Sequence, residues 1–447
     1  MREGGGLFPI TWNQDDSHQI SIGGIPIRDL AERFGTPLYV MDYATLADRL
    51  TRYRAALATL DPPGLPYFAG KAFLCRAMAG LLEDLGIGLD VVSGGELATA
   101  VAGGFRPERA IFHGNVKTPE EIAYGLEVGV GLWGVDSLDE LEALSRAASH
   151  FGTQARVVLR LTPGIEAHTH AFIRTGQFDT KFGLAMSEGI AEEAVARALA
   201  LPGIQLVGFH AHIGSQILEI APFLANLERL LSFSRVTLST HGFWPEILDV
   251  GGGLGVRYTA EDDPPALETV VEGMRQVIAE YTPAGMAAPQ VLMEPGRSVV
   301  AEAGVTLYRV GAIKRVPSGK RYVAVDGGMG DNIRPALYQA AYQAVVDGKA
   351  PGADGFVGAL AGRYCESGDI LIPEARWPAD LEVGDLVAVL VTGAYNYAMA
   401  SNYNRVPRPA VVAVHQGEAK VWVQRERWED LYRLDGAWER WERGANG

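Results

Sequence analysis

Cysteine is nearly missing from this chain: Cys75 and Cys365 are the two thiols in 447 residues. That excludes a disulfide framework and leaves too few thiolates for a metal site without help from histidines, so a reducing cytosol is the expected environment. Positive charge is short as well. With 39 Lys and Arg against 54 Asp and Glu, the formal net charge is −15, and the clustered basic surface needed for nucleic acid or anionic membranes is not available. A small-molecule or protein partner is expected instead. No uninterrupted apolar run approaches the length of a bilayer span, and the opening Met1-Arg-Glu-Gly-Gly-Gly6 lacks the apolar stretch of an export signal. Internal repeats and low-complexity segments are also absent.

What is present is the composition of a folded protein, 48% apolar and 21% charged, in a chain long enough for two domains. The first residues read as a β-rich lead-in: Gln19-Ile-Ser-Ile-Gly23 and Pro37-Leu-Tyr-Val-Met41 as strands, with a short helix from about Ile27 to Phe34. Leu46, Leu50, Tyr53 and Leu57 then fall on one face of a helix over 44–59. From Leu65 a unit recurs: a short apolar run, a loop with Gly, Asn, Asp or His, and an amphipathic helical stretch. The runs end near Ala69, Val92, His113, Val135, Leu161, His212, Val250 and Met293. Eight such units predict an α/β fold, a (β/α)8 barrel over 44–299. An open doubly wound sheet also alternates strand and helix, but its G-x-G-x-x-G signal after the first strand is missing. Beyond Ser298 short alternating runs such as Thr306–Gly311, Tyr322–Val325, Leu386–Thr392 and Ala410–Val414 predict a second, mostly antiparallel β domain, built from 300–447 and 1–43, with both lead-in strands joining it. The last twenty residues read as an amphipathic helix with a loose end.

In a barrel the C-terminal strand ends converge on one mouth. Lys71 stands past the first run, followed by Asp90 with Ser93-Gly-Gly95, His113 with Asn115, Asp136, Arg160, His210 with His212 and Ser215, Gly251-Gly-Gly253, and Glu294-Pro-Gly296-Arg297. One lysine or histidine in such a place is usually structural, but this set forms a charged funnel. Glycines after the seventh strand let backbone N–H groups approach an oxyanion, and Arg297 follows the eighth; barrels commonly bind phosphate there. An amine at Lys71, a phosphate cradle and a carboxylate at Glu294 together suit pyridoxal phosphate. A carboxylate at the ring nitrogen keeps the pyridine protonated and an efficient electron sink, which suits loss of CO2 from Cα. A racemase on the same barrel would put an arginine there.

With these residues in order, the chain resembles the fold-type III pyridoxal-phosphate decarboxylases over about residues 20–430. The resemblance rests on Asp90-Val-Val-Ser-Gly-Gly-Glu-Leu97, His113-Gly-Asn-Val-Lys117, Thr169-His-Ala-Phe-Ile-Arg-Thr-Gly176, Lys181-Phe-Gly183, His212-Ile-Gly-Ser-Gln216, Glu294-Pro-Gly-Arg297, Arg334-Pro-Ala-Leu-Tyr338, Cys365-Glu-Ser-Gly-Asp369 and Met399-Ala-Ser-Asn-Tyr-Asn404. It implies Lys71 as the covalent anchor, Asp90 and Gly296 in the cofactor site, His212 stacked on the ring, and Ser215, Gly252, Gly253 and Arg297 on the phosphate. Glu294 would meet the ring nitrogen. Arg297, Arg334 and Tyr338 would take a distal carboxylate, Glu366 a distal ammonium, and Tyr395 would contact both cofactor and substrate. Cys365 would return a proton to Cα, and it and Glu366 would come from the neighbouring subunit of a homodimer. The implied reaction is decarboxylation of meso-2,6-diaminopimelate at its D-centre to L-lysine and CO2; a related decarboxylase of carrier-bound or citryl amino acids would share the cofactor residues. One arginine and one acid, Arg334 and Glu366, complement the two charges of an amino-acid head. Phe68 and Phe73 depart from the family's Tyr-Ala-x-Lys-Ala-Asn, and Gly330 and Asn332 from its usual loop before the arginine; these bear on substrate fit.

Overall fold

Period-two alternation along short apolar runs builds the centre of the molecule. The computed structural model, which describes residues 6–164 and 181–438, contains eight parallel strands: β1 (Leu65–Ala69), β2 (Gly88–Val91), β3 (Ala110–Phe112), β4 (Leu132–Val135), β5 (Ala155–Thr162), β6 (Ile204–His210), β7 (Ile247–Asp249) and β8 (Gln290–Met293). They pair in sequence order; β8 pairs with β1 and β4 with β5, so the sheet closes as the expected barrel. Tyr67, Ile111, Leu132, Val158, Val207, Ile247 and Leu292 form an apolar cluster of their own, one from each strand except β2. There Gly88 stands, where a Cβ would lie 2.6 Å from the Tyr67 ring. The residues next along, Phe68, Leu89, Phe112, Trp133, Leu159, Leu248 and Met293, face the other way into the larger core shared with the helices. Each such burial stabilises by roughly 1.5–3 kcal/mol, and a one-residue slip would exchange the two sets.

The loops after the strands start helices with capping residues. Thr118 forms a capping box with Glu121 before Pro119–Val128, and the Ser137 hydroxyl accepts from Glu140 N before Leu138–Phe151. These two turns are braced from inside. Lys117 Nζ lies 2.5 Å from Glu140 Oε1 and donates to the carbonyls of Gly114 and Gly134, while Glu140 Oε2 accepts from Asp136 N.

The second sheet is mostly antiparallel and threads through the N-terminal lead-in. Leu38–Asp42 lies between Gly304–Arg315, to which it is antiparallel, and Ala410–His415, to which it is parallel. Phe356–Ala361 pairs in parallel with Arg321–Val325, and Ile370–Trp377 forms one edge of the sheet. The lead-in strand near residue 20 does not join this sheet. Ile20–Ile22 pairs with Asn13–Gln14 and Ile25–Pro26 in a separate three-stranded sheet, tied down by Ile20 N donating to Asp347 Oδ1 at 2.9 Å. Among the described residues the C-terminal helix is also shorter than expected: Trp428–Tyr432 is helical, then Asp435 N turns back to Tyr432 O just before Gly436, and 439–447 lie outside the described residues. Among the described residues no helix is long and apolar enough to cross a membrane.

Removing one partner of a buried ion pair leaves the other charge uncompensated. Lys117→Met is therefore expected to lower stability by about 3–5 kcal/mol, read as a drop in the urea midpoint. A midpoint equal to that of the unaltered protein would show that Glu140 does not need the amine.

Candidate active site

Two residues beyond the inward apolar layer the same strand faces carry polar groups. Gly88 is followed by Asp90, Ile111 by His113, Val158 by Arg160, Ile247 by Asp249 and Leu292 by Glu294, so the floor of the mouth is set by the alternation that packs the barrel. Glu294, buried, lies at the centre. Its Oε1 is 2.5 Å from His113 Nε2 and its Oε2 is 3.4 Å from His210 Nε2. The His113 ring fits because residue 134 is glycine: a Cβ there would lie 2.1 Å from His113 Nδ1. Burial pushes the Glu294 carboxyl up, but His113 and His210 outweigh it and hold it well below the usual carboxylate range. Burial acts downward on His113, yet Glu294 lifts it to about 10, whereas burial takes His210 down to about 3. The floor thus holds a carboxylate, an imidazolium and a neutral imidazole. Asp249 and Asp90 are raised to about 7 and about 6, by burial and then by the charge of Glu294.

Lys71 sits on the short turn after β1 and lines two cavities of about 160 and 320 Å³, with His212 and Glu294 in both walls. Its side chain is exposed to these cavities although protein surrounds it. Burial opposes its charge, but Asp90, then Tyr395 and Glu294, raise its pKa overall. On one side Arg160 approaches Asp136 at 3.5 Å and covers the Phe182 ring.

The loops after β6, β7 and β8 meet backbone to backbone. A Cβ on Gly252 would lie 2.0 Å from Glu294 O, and one on Gly253, at φ +111°, would lie 2.4 Å from Gly214 O. Gly252 N donates to His212 Nδ1 at 3.2 Å. Burial, then Lys71 and Arg160, keep His212 well below the ordinary imidazole range. Beside this loop Arg297 donates to Ser215 Oγ at 3.0 and 3.2 Å. An amine, an anion cradle with a fixed guanidinium, and an ionised carboxylate around one cavity fit the aldehyde, phosphate and ring nitrogen of pyridoxal phosphate.

The β domain closes the mouth. Tyr395 N donates to Ala72 O at 2.8 Å, and the Tyr395 ring lies 4.9 Å from the Arg297 guanidinium. Tyr395 has φ +62°, a conformation costly for an aromatic residue that here keeps the ring at the cavity. Arg334 and Tyr338, on the helix Arg334–Tyr338, line the same cavity. The preceding loop is held by Asp331, which accepts from Tyr308 Oη and Gly328 N and whose carbonyl accepts from Tyr39 Oη.

The fold thus brings together Lys71, Asp90, His212, Ser215, Gly253, Glu294, Gly296, Arg297, Arg334, Tyr338 and Tyr395 around the two cavities, with Gly252 in the adjoining turn. It does not bring Cys365 and Glu366 there: both are exposed on a loop of the β domain, and Cys365 N donates to Asn404 Oδ1 at 2.9 Å. The motif over 169–176 lies outside the described residues. Phe68 and Phe73 are buried away from the cavities, Phe73 stacked on Trp422 at 6.3 Å. Asn332 is buried beside Asp331, and Gly330 makes room for Tyr364, whose Oη would be 2.2 Å from a Cβ there. Sequence reading passed over Asp249, Tyr258, Tyr342 and Asn396. Strand alternation could have found Asp249; the others reach the site through tertiary packing.

Barrel, lysine and carboxylate define a pyridoxal-dependent decarboxylase, and the family described as "Pyridoxal-dependent decarboxylase, pyridoxal binding domain" matches residues 44–301. Diaminopimelate decarboxylase of Bacillus subtilis is 45% identical over 429 residues, 95% of this chain and 97% of that protein. The Mycobacterium tuberculosis enzyme of that name is 41% identical over 440 residues, 96% and 97% of the two chains. The crystal structure of diaminopimelate decarboxylase from M. jannaschii in co-complex with L-lysine superposes with a TM-score of 0.87 at 34% identity, covering 96% of this chain and 99% of that one. The chain belongs to the diaminopimelate decarboxylase family.

Burial raises the Asp331 carboxyl to about 7 against the hydrogen bonds from Tyr308 and Gly328. Its folded pKa is above the unfolded one, so the native state binds the extra proton, and this contribution to stability falls as pH rises from about 4 to about 7. Asp331→Asn carries no such proton. Its stability relative to the unaltered protein is expected to rise by roughly 3–4 kcal/mol across that window, measured by urea unfolding at both ends. A constant difference would show that Asp331 is ionised in the fold.

Proposed function

We propose that this protein decarboxylates meso-2,6-diaminopimelate at its D-centre to L-lysine and CO2, the last step of lysine biosynthesis. The observation that carries this is one cavity lined by Lys71, Glu294 and Arg297 at one end and by Arg334 and Tyr338 at the other. The names of the relatives favour this substrate over a carrier-bound or citryl amino acid.

Pyridoxal phosphate, when bound, supplies a carbonyl carbon for an amine and a protonated ring that accepts the electron pair left as CO2 departs. Lys71 would provide the amine that anchors the cofactor, and Asp90 stands beside it. Glu294, kept ionised by His113, would hold a proton on the ring nitrogen, and His212 would lie against the ring. Ser215, the backbone at Gly252 and Gly253, and Arg297 would hold the phosphate, Gly296 would line the cofactor site, and Arg297, Arg334 and Tyr338 would take the distal carboxylate. Tyr395 contacts cofactor and substrate together. Cys365 delivers a proton to Cα after CO2 has left, and Glu366 takes the distal ammonium. Their exposure, away from their own chain's cavity, supports action in the site of a second copy, a homodimer with two shared sites. The barrel over 44–299 serves as the cofactor-binding domain, and 1–43 with 300–447 as the domain that lends those residues. The cytoplasm is its place of work, in keeping with two unpaired thiols.

Lys71→Ala is expected to lose visible cofactor absorbance and at least about 100-fold in CO2 release; full turnover would overturn the reading. Cys365→Ala is expected to lose about 100-fold while keeping the absorbance. If sites are shared, mixing and reassembling the two inactive proteins in equal amounts restores about a quarter of normal activity, since half of the dimers then hold one intact site. A mixture as inactive as its components would rule out sharing.

A further inference from the structure

Tyr258, which the proposed reaction leaves without a task, stands between two cations. Arg297 comes from the loop after β8 and Arg334 from the β domain, yet both line one cavity. The Tyr258 hydroxyl oxygen accepts from Arg297 Nη1 at 2.6 Å and from Arg334 Nη1 at 3.1 Å. Its ring lies 5.7 and 5.0 Å from the two guanidinium carbons, and the residue is buried. Two guanidiniums brought this close repel each other, more strongly in a poorly solvated site than in water. A phenol offering one oxygen and one ring face to both offsets that repulsion and fixes their separation. Burial pushes this hydroxyl up, but the two arginines outweigh it and draw it below the ordinary tyrosine range, as a shared acceptor requires.

The bridge is anchored at both ends. Arg297 is tied to Ser215 on the barrel side. Arg334 also donates from Nη1 to Tyr342 Oη, and Tyr342 donates to Asn396 Oδ1 at 3.3 Å. A hydrogen-bonded row therefore crosses the mouth from Ser215 through Arg297, Tyr258, Arg334 and Tyr342 to Asn396. Because the two tyrosines occupy Arg334 Nη1, its Nε and Nη2 hydrogens, which bond to none of the described residues, are set for a carboxylate to take side by side.

We infer that Tyr258 is a positioning residue that sets the spacing of Arg297 and Arg334, and thereby selects a ligand whose far end carries a carboxylate over one whose far end lacks it. The inference rests on the proposed function and adds to it the group that positions the arginines for the far carboxylate.

The test compares inhibition of the holoenzyme by L-lysine, which keeps the carboxylate, and by 1,5-diaminopentane, which lacks it. In Tyr258→Phe the L-lysine inhibition constant and the KM for meso-diaminopimelate are expected to rise about tenfold or more, the scale of one hydrogen bond to a charged group. The kcat should change by less than about threefold, and the diamine constant by less than about twofold. In an Arg334→Ala background the same change should move the L-lysine constant by less than about twofold. Equal weakening of both inhibitors, an unmoved L-lysine constant, a double variant equal to the product of the singles, or a Tyr258→Phe protein that no longer holds cofactor would each overturn it, the last by giving the hydroxyl a merely structural role. A wild-type protein that releases no CO2 from meso-diaminopimelate would instead fail the proposed function.

Discussion

A carboxylate stays ionised inside a protein only where a cation or strong donors meet it, and the interior of this barrel is arranged so that Glu294 has both. His113 touches one oxygen and His210 approaches the other. The contact depends on parts remote in sequence. Glycine at 134 leaves space for the imidazole ring, and the parallel pairing of β3 with β2 and β4 sets His113 at the right height. The brace of Lys117 and Glu140 secures the loop that follows. If Glu294 were neutral, His113 would lose the main charge that keeps it protonated, and a bound pyridine would lose the partner that keeps its nitrogen protonated.

From that floor the site grows outward by close backbone contacts. Glycines at 252 and 253 bring three loops together where any side chain would separate them, and the close packing aims Ser215 and Arg297 at one point. The β domain then arrives through a backbone hydrogen bond from Tyr395 to Ala72, next to Lys71, so the lysine turn and the substrate end of the cavity share one frame. Asp369 extends this frame: it accepts from Met329 N in the loop before Arg334 and from Tyr364 N beside Cys365. The loop that faces the cavity and the loop that faces away are joined by one carboxylate.

Much of this was legible in the residues. Every barrel strand was marked by an apolar run followed by a polar loop, because a strand buried on both faces is short and apolar and its C-terminal end must carry whatever faces the mouth. The helix over Ile27–Phe34 and the strand at Leu38–Asp42 followed from periodicity alone. The strand at Ile20–Ile22 was legible as a strand but not in its pairing, since alternation names a buried face and not the neighbour. At the C-terminus the amphipathic pattern outran the helix, because residues 433–438 are exposed and bury no apolar face.

The sequence by itself determined the chemistry on offer: an amine after the first strand, glycines after the seventh, a carboxylate and an arginine after the eighth, and the period-two order that turns them inward. Tertiary structure alone decided which charges exist and what they touch. His113 is cationic and His210 neutral because Glu294 lies against one and burial prevails at the other. Tyr258 bridges two arginines because the β domain folds over the mouth and brings Arg334 within reach. Cys365 faces outward because its loop is anchored to Asn404 and Asp369 rather than to the barrel. Local pattern sets the direction of a side chain along its own element, whereas ionisation and partnership depend on distances between elements, which no stretch of sequence contains.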